Sequence, residues 1–491
     1  MKNLIVVAAL FVVVECGAVI PSPAEFVISG ATVSTNVPVV CRMDPSVQRE
    51  GYRLEVGESG VTIFSSEATG AFYARQTLRQ LEENGRWPCC TVVDAPHYRW
   101  RGMHLDESRH FFGKEVVKRF LDKAAEFKFN VFHWHLMDDQ GCRLPLPKYP
   151  RMATVGAMRP SPDYHRWIYD TDPGLPYGPF VYSREDIREI VDYAASLHIT
   201  VLPEVEFPGH SREVLLAYPE LFCSDKLHLI QAVTMCNADG APLKYGAERP
   251  LDKSALCVGN DSTLDFAKYV VDVVCELFPG EYVHIGGDEC DKRNWRQCPQ
   301  CQARMRELGL KDEKELQSWA VRQLVDYVTS KGRKAIGWEE IMEGGLAKGA
   351  AVMSWLAPKA GIEAACAGHD VVMAVHTNCY FCYSQGIQND SYAALPPGVV
   401  GNVLPLERVY AFDPCAGVPV EVRGHILGGQ TFLWSEQVPN ESFIQWKMWP
   451  RALAMSEVLW CGPRKRAYPE FKREADAVVR KLRQGGFNAA E

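Results

Sequence analysis

Asp288 and Glu289 stand side by side directly after Gly286-Gly287, behind the apolar run Tyr282 to Ile285. The run reads as a buried strand, and the two glycines let the backbone turn tightly enough to deliver both carboxylates into a cleft beyond its end. Adjacent acids so placed suit general acid and base chemistry. Taken alone, the stretch is also consistent with a strand followed by a solvated acidic turn.

Seven other apolar runs end on comparable groups. Candidate strands at 100–105, 129–136, 199–205, 281–286, 333–338, 350–355, 370–375 and 427–433 lead in turn to Asp106 and Arg109, His133 and His135 with Asp138-Asp139, Glu204, Glu206 and His210, Asp288-Glu289, Trp338 with Glu339-Glu340, Trp355, His376 with Tyr380, and Trp434 with Glu436. Each has an ordinary explanation. A tryptophan packs in a core, Arg109 pairs with a nearby acid, and His135 and His210 are satisfied structural histidines. Gathered in one mouth, however, aromatic walls with carboxylates and an arginine between them suit a pyranose, whose CH faces stack on indoles while its hydroxyls bond to charged groups.

The elements that would gather them are βα units. Apolar runs alternate with helical patterns from Tyr98 onward, which implies a parallel sheet, and eight strands is the number of a (β/α)8 TIM barrel, where residues after each strand share one mouth. Ser183 is placed to cap a helix that puts Ile187, Ile190, Val191, Ala194 and Leu197 on one face, with Asp186 returning a capping-box bond. Stretches 115–128 and 312–330 repeat the pattern. Before the barrel, short β-like runs and one helix over Gly70–Glu82 predict a small α+β domain, closed by the proline in Asp94 to His97. The expected layout is a leader over 1–18, the small domain over 19–95 and a catalytic barrel over 96–491, with 223–262 and 384–425 as long barrel loops.

The formal net charge of -8 over 491 residues offers no basic surface for nucleic acid. Lys2, the apolar run Leu4 to Val14 and the small residues Cys16 to Ala18 resemble a secretory signal cleaved after Ala18, with a lipid on Cys16 as the alternative. The expected location is periplasmic, cell-surface or secreted. That run is too short to span a bilayer, and no other stretch is long and apolar enough. Among the 17 cysteines, Cys298 and Cys301 have CxxC spacing with Cys290 nearby, but no second CxxC completes a zinc knuckle, so a local disulfide or buried thiols is the expectation. The histidines lack the i, i+4 spacing of zinc enzymes, and no Gly-x-Ser-x-Gly elbow follows a strand. No metal and no cofactor is expected.

Taken together, Arg101 to Arg109, His133 to Gln140, Pro203 to His210, His284 to Glu289, Gly337 to Glu340, Met353 to Trp355, Asn378 to Tyr380 and Trp434 to Glu436 resemble, in family order, the exo-acting β-N-acetylhexosaminidases of glycoside hydrolase family twenty. The resemblance implies a retaining, substrate-assisted mechanism. Glu289 would be general acid and then base, and Asp288 would hold the 2-acetamido group whose carbonyl oxygen attacks the anomeric carbon. Arg109 and Glu436 would bind the 3- and 4-hydroxyls, Trp338, Trp355 and Trp434 would wall the pocket, and Tyr380 would donate to the acetamido oxygen. Asp138, His135 and His210 would orient Glu289. The spacing agrees, because two adjacent acids cannot easily face each other across a sugar at the roughly 5–5.5 Å of an ordinary retaining pair. Their proximity also leads us to expect a raised pKa at Glu289.

The implied partner is an oligosaccharide or glycoconjugate ending in β-linked N-acetylglucosamine or N-acetylgalactosamine. Two departures bear on substrate preference. Cys382 stands where the family commonly has an aspartate, and Cys142 where it commonly has a tryptophan, followed by Leu144 to Pro147. Rival readings are a same-family enzyme releasing a disaccharide such as lacto-N-biose, which needs a pocket open beyond Arg109 and Glu436, and a catalytically silent sugar-binding protein.

Overall fold

The computed structural model describes residues 19–158, 177–223, 255–386 and 403–490. The expected leader, 1–18, and much of the two long loops lie outside the described residues. The chain divides into two compact units, one reaching to His97 and including Trp460–Val478, the other holding Tyr98–Leu459 and the residues from Val479 on. The sequence predicts a barrel over 96–491, whereas Trp460–Val478 groups with the smaller unit.

In the smaller unit a five-stranded sheet runs β1 (Glu25–Ser34), β5 (Arg86–Asp94), β3 (Tyr52–Gly57), β4 (Gly60–Ser65) and β2 (Val39–Met43). Burial alternates residue by residue along β3 and β4, as it must when one face of a sheet meets a core and the other does not. The helix Ala68–Gln80 contributes Tyr73, Ala74 and Leu78 to a core with Tyr52, Leu54, Ile63, Val92 and Trp460. Trp460 explains why its segment belongs here. Its ring meets Tyr73 edge-on at 5.1 Å, and its indole N–H donates to the buried Asp94 carboxylate, which also accepts from the Tyr52 hydroxyl. No local pattern reveals a partner so distant in sequence.

The larger unit is a closed barrel. The strands β6 (Trp100–Asp106), β7 (Val131–His135), β10 (Thr200–Glu204), β11 (Tyr282–His284), β12 (Lys334–Trp338), β13 (Ala351–Ser354), β14 (Val371–Met373) and β15 (Ile426–Thr431) pair in chain order, and β15 returns to β6. A two-residue hairpin, β8 (Met137–Asp138) with β9 (Gly141–Cys142), follows β7. All the pairings around the barrel are parallel, so the (β/α)8 expectation holds, with each of the eight strands where the apolar runs placed it.

The expected helices form, Lys114–Glu126 from Gly113 without a side-chain cap bond and the other two from capping side chains. The Ser183 side chain accepts from the Asp186 N–H at 3.0 Å, and the Asp186 carboxylate accepts from both the Ser183 hydroxyl and its backbone N–H, which satisfies orphan donors at the start of Arg184–Ser196. Asp312 caps Glu313–Ser330 the same way through the N–H groups of Lys314 and Glu315. Among the described residues, no helix is long and apolar enough to cross a membrane.

Candidate active site

β11 ends at His284, and Gly286 (φ 64°) and Gly287 (φ 101°) then turn through the left-handed region. A Cβ on Gly286 would sit 1.9 Å from Glu206 Oε2, and one on Gly287 would sit 2.4 Å from Ile341 Cγ2. Both positions therefore demand glycine for space as well as for conformation. Glu289 itself has φ 44° and His210 has φ 48°, conformations that cost a non-glycine residue on the order of 1 kcal/mol or more and cluster at functional sites.

His210 joins the acids. Its Nδ1 lies 3.1 Å from Asp138 Oδ1 and 3.6 Å from Asp139 Oδ2, while its Nε2 lies 3.4 Å from Asp288 Oδ2 and 3.3 Å from Glu289 Oε2. Burial opposes a charge on the ring, but Asp138 and Asp288 outweigh it and lift the imidazole well above its ordinary pKa. His210 is thus an imidazolium between two pairs of acids. Burial, and then the Glu289 charge, raise the Asp288 carboxyl above the usual carboxylate range against the pull of His210.

Arg109, at the end of β6, reaches Asp138 Oδ2 at 2.6 Å, Asp106 Oδ2 at 3.3 Å and Glu436 Oε1 at 3.9 Å, and donates through Nε to Gln140. Its guanidinium lies 5.1 Å from the Trp434 ring centroid. Burial works against its charge, yet these carboxylates hold it firmly protonated. Burial also raises Glu436, with Arg109 opposing.

Trp338, Trp355, Tyr380 and Trp434 form one aromatic box. Trp355 and Tyr380 stack at 6.0 Å and 7°, Trp338 meets Trp355 edge-on at 6.5 Å, and Trp338 lies tilted by 45° against Trp434 at 5.9 Å. Trp338 lies deeper than a wall residue. It is 1% exposed, and its indole N–H donates to Glu204 Oε1 at 2.7 Å. Burial, then Cys382 and Asp288, hold the Tyr380 hydroxyl well above its ordinary pKa, so it remains a hydrogen-bond donor.

Beneath the box, positions that barrels usually fill with branched aliphatics carry His104, His133, Glu204, His284 and Gln430, all fully buried. Glu204 lies 3.1 Å from both His133 Nε2 and His284 Nδ1. His135 extends this network upward, 3.1 Å from Asp106, 3.4 Å from Asp138 and 3.3 Å from Glu206. It therefore supports Asp138 and reaches Glu289 only through two residues, Asp138 and His210. Several of these histidine and acid groups lie close enough to bracket an ion, but the acids around His135 and His210 raise both imidazoles well above their ordinary pKa, which favours a proton over a metal on those rings.

Glu340 has no role that its sequence position predicts. The structure sets it beside the pocket, accepting from Trp355 Nε1 at 3.1 Å, with its carboxyl pushed up to about 7 by burial and then by Asp288. Its neighbour Glu339 instead ties down Ser354 and the N–H groups of Trp355 and Leu356. Two consecutive glutamates gave no hint which one faces inward. Cys382 and Cys379 are separate free thiols. Cys382 is half-buried near Glu436, and burial pushes its thiol up to about 12. In the other departure, Cys142, Leu144 and Leu146 all turn inward and are buried.

Comparison with known proteins places this geometry. A family model described as glycosyl hydrolase family 20, catalytic domain, matches residues 98–463. The chain belongs to glycosyl hydrolase family 20. A second family 20 model, domain 2, matches residues 18–95. A protein of Porphyromonas gingivalis named beta-hexosaminidase is 38% identical over 457 residues, covering 90% of this chain and 55% of its own length. A beta-hexosaminidase of Vibrio furnissii is 34% identical over 427 residues, covering 85% of this chain and 66% of its own. The chain thus spans between about half and two thirds of these two curated relatives. Among solved structures of family 20, the exo β-N-acetylglucosaminidase of Vibrio harveyi, in complex with N-acetylglucosamine, superposes with a TM-score of 0.83 at 29% identity, covering 96% of this chain and 78% of that one.

Proposed function

We propose that the chain is an exported β-N-acetylhexosaminidase that removes terminal, non-reducing β-linked N-acetylglucosamine or N-acetylgalactosamine with retention, using the substrate's own acetamido group as nucleophile. One observation carries the reading: Asp288 and Glu289 both approach the same imidazole nitrogen, at 3.4 and 3.3 Å. Consecutive acids drawn to one nitrogen approach a sugar from the same side, whereas a two-carboxylate retaining pair flanks it on opposite faces about 5–5.5 Å apart. An internal nucleophile removes that requirement.

In this mechanism Glu289 protonates the glycosidic oxygen and later takes a proton from water. Asp288 binds the acetamido N–H and stabilises the charge that develops on that nitrogen as the carbonyl oxygen closes on the anomeric carbon, so a carboxyl with a raised pKa gains its full partner only as the reaction proceeds. Tyr380 donates to the acetamido oxygen, and the aromatic box packs around the acetamido group and ring. Arg109 and Glu436 bind the 3- and 4-hydroxyls. His210 is a positioning residue that holds Glu289 and Asp288 against Asp138. No step calls on a cofactor.

The test compares rates on aryl N-acetylglucosaminide, N-acetylgalactosaminide and plain glucoside, with a thiazoline made from N-acetylglucosamine as inhibitor. Turnover of the N-acetyl sugars alone, with the thiazoline binding at least about 100-fold tighter than N-acetylglucosamine, is the expected outcome. Comparable turnover of the glucoside overturns the internal nucleophile.

A further inference from the structure

Away from the pocket, four cysteines converge from three places in the chain. Cys223 follows the short helical turn Pro219–Leu221, Cys257 precedes the helix Asp261–Leu277, and Cys298 and Cys301 bracket the start of Pro299–Leu308. Their sulfurs all lie within 4.8 Å of one another. Cys301 Sγ is 3.7 Å from both Cys223 and Cys257, and Cys257 is 3.6 Å from Cys298. Cys298 and Cys301 of the CxxC motif are buried free thiols, one of the two outcomes expected from the sequence, but local spacing does not reveal the partners they meet. Those partners sit on distant loops as single cysteines, and the neighbour Cys290 is not one of them.

We propose that Cys223, Cys257, Cys298 and Cys301 bind a zinc ion as four thiolates. Four sulfurs about 2.3 Å from a central zinc form a tetrahedron with edges of about 3.8 Å, which the observed 3.6–3.7 Å separations approach closely. Disulfides would give two close pairs at about 2.05 Å. Here Cys301 is equidistant from Cys223 and Cys257, and no pair is singled out. An all-thiolate set is soft and selects zinc among the common divalent ions. The surroundings are built to hold the group: the Cys301 N–H donates to the Cys298 sulfur, and Cys257, Cys298 and Cys301 are buried. The Cys257 N–H donates to Leu221 O at 2.8 Å. A Cβ on Gly259 would lie 2.3 Å from the Cys301 nitrogen, so glycine lets the loops close over the knuckle.

The site ties the loop after β10, which carries His210, to the loop after β11, which carries Asp288 and Glu289. The two loops already press together near the acids, where a Cβ on Gly209 would meet Asp288 O at 2.8 Å. Zinc acts here as a clamp on catalytic loops, with no contact to substrate.

The full chain, purified without added metal or chelator, is expected to carry about one equivalent of zinc by elemental analysis. Cys257→Ser and Cys301→Ser are each expected to lose it roughly tenfold or more, while the exposed Cys366→Ser keeps it. Should the variants fail to fold, titrating the wild-type thiols with a mercurial must release zinc in step with their modification, and cobalt in place of zinc must show the visible bands of a tetrahedral thiolate complex. Three results overturn the proposal: little zinc with the four cysteines recovered as disulfides by mass mapping; free thiols that take up no zinc from added zinc chloride; or zinc that survives both serine variants. These readouts are independent of activity, so the clamp stands or falls separately from the proposed reaction.

Discussion

The barrel floor and the pocket mouth use the same residue types to opposite ends. On the floor, Glu204 is fully buried among His133, His284 and the Trp338 indole. Burial alone would raise its pKa, but His284, His135 and His133 outweigh it and hold the carboxyl well below its ordinary value. His104 and His133 fall to about 4 and about 3 through burial, so they pack as neutral rings. A few ångströms higher, Glu206, Asp288 and Glu340 are all raised, each by burial first and then by a neighbouring acid. Glu204 and Glu206 lie two residues apart yet are driven in opposite directions. The floor balances its charges within the fold. The mouth leaves acids under-compensated, the condition expected where a substrate's proton or developing charge completes the balance.

The largest effect should come from Glu289→Gln, which we expect to slow hydrolysis of substrates with poor leaving groups by about 10³-fold while activated aryl glycosides lose far less, because their departure needs little proton donation. Unfolding midpoints should scarcely move. Equal losses on both substrate types would remove Glu289 from the acid's role.

Glu204→Gln should do the reverse. Deleting the floor's anion removes the leading charge that supports His135 and the direct partner of His133 and His284, and should cost about 3 kcal/mol or more of stability, read from urea unfolding. An unchanged midpoint would show that the floor is not an ion network, and the contrast would collapse.

Cys382→Asp probes the mouth's departure from its family. An aspartate there would accept a charge-assisted bond from a sugar hydroxyl, worth roughly 1.5–3 kcal/mol, where a neutral thiol is a weak acceptor. We expect kcat/KM for the N-acetylglucosaminide to rise about tenfold and the 6-deoxy analogue to respond little. Equal gains on both sugars would mean that position 382 does not face the 6-hydroxyl.

The smallest effect concerns pH. An acid whose folded pKa exceeds its unfolded value keeps a proton that the unfolded chain has released, so its contribution to stability falls as pH rises from about 4.5 toward about 7 for Glu340. Glu340→Gln should flatten this decline by on the order of 1 kcal/mol, allowing for solvent at a half-buried side chain, with Asp288 leaving a residual slope. Identical pH profiles of the denaturation midpoint in both proteins would show that Glu340 is not held protonated.

Much of this molecule was legible in its sequence because its signals are local. All eight strands are short apolar runs, caps such as Ser183 and Asp312 precede their helices, and the groups at the strand ends share a mouth once eight parallel strands close. The need for glycine at 286 and 287 was also readable, since a turn there requires it.

What only the tertiary structure decided depends on which distant side chains meet. Which of Glu339 and Glu340 faces the pocket, why the pKa of Glu204 is driven down and that of Glu206 up, and how deep Trp338 lies all follow from burial and from charges contributed by other strands, none of which leaves a periodic trace. Trp460 joins Asp94 and Tyr73 across more than three hundred residues, and Cys223 and Cys257 meet the CxxC pair only because two loops end in the same place. Local periodicity reports the period of one element against one face. It carries no information about a contact whose two halves lie in different elements, and there the closed barrel supplies the answer.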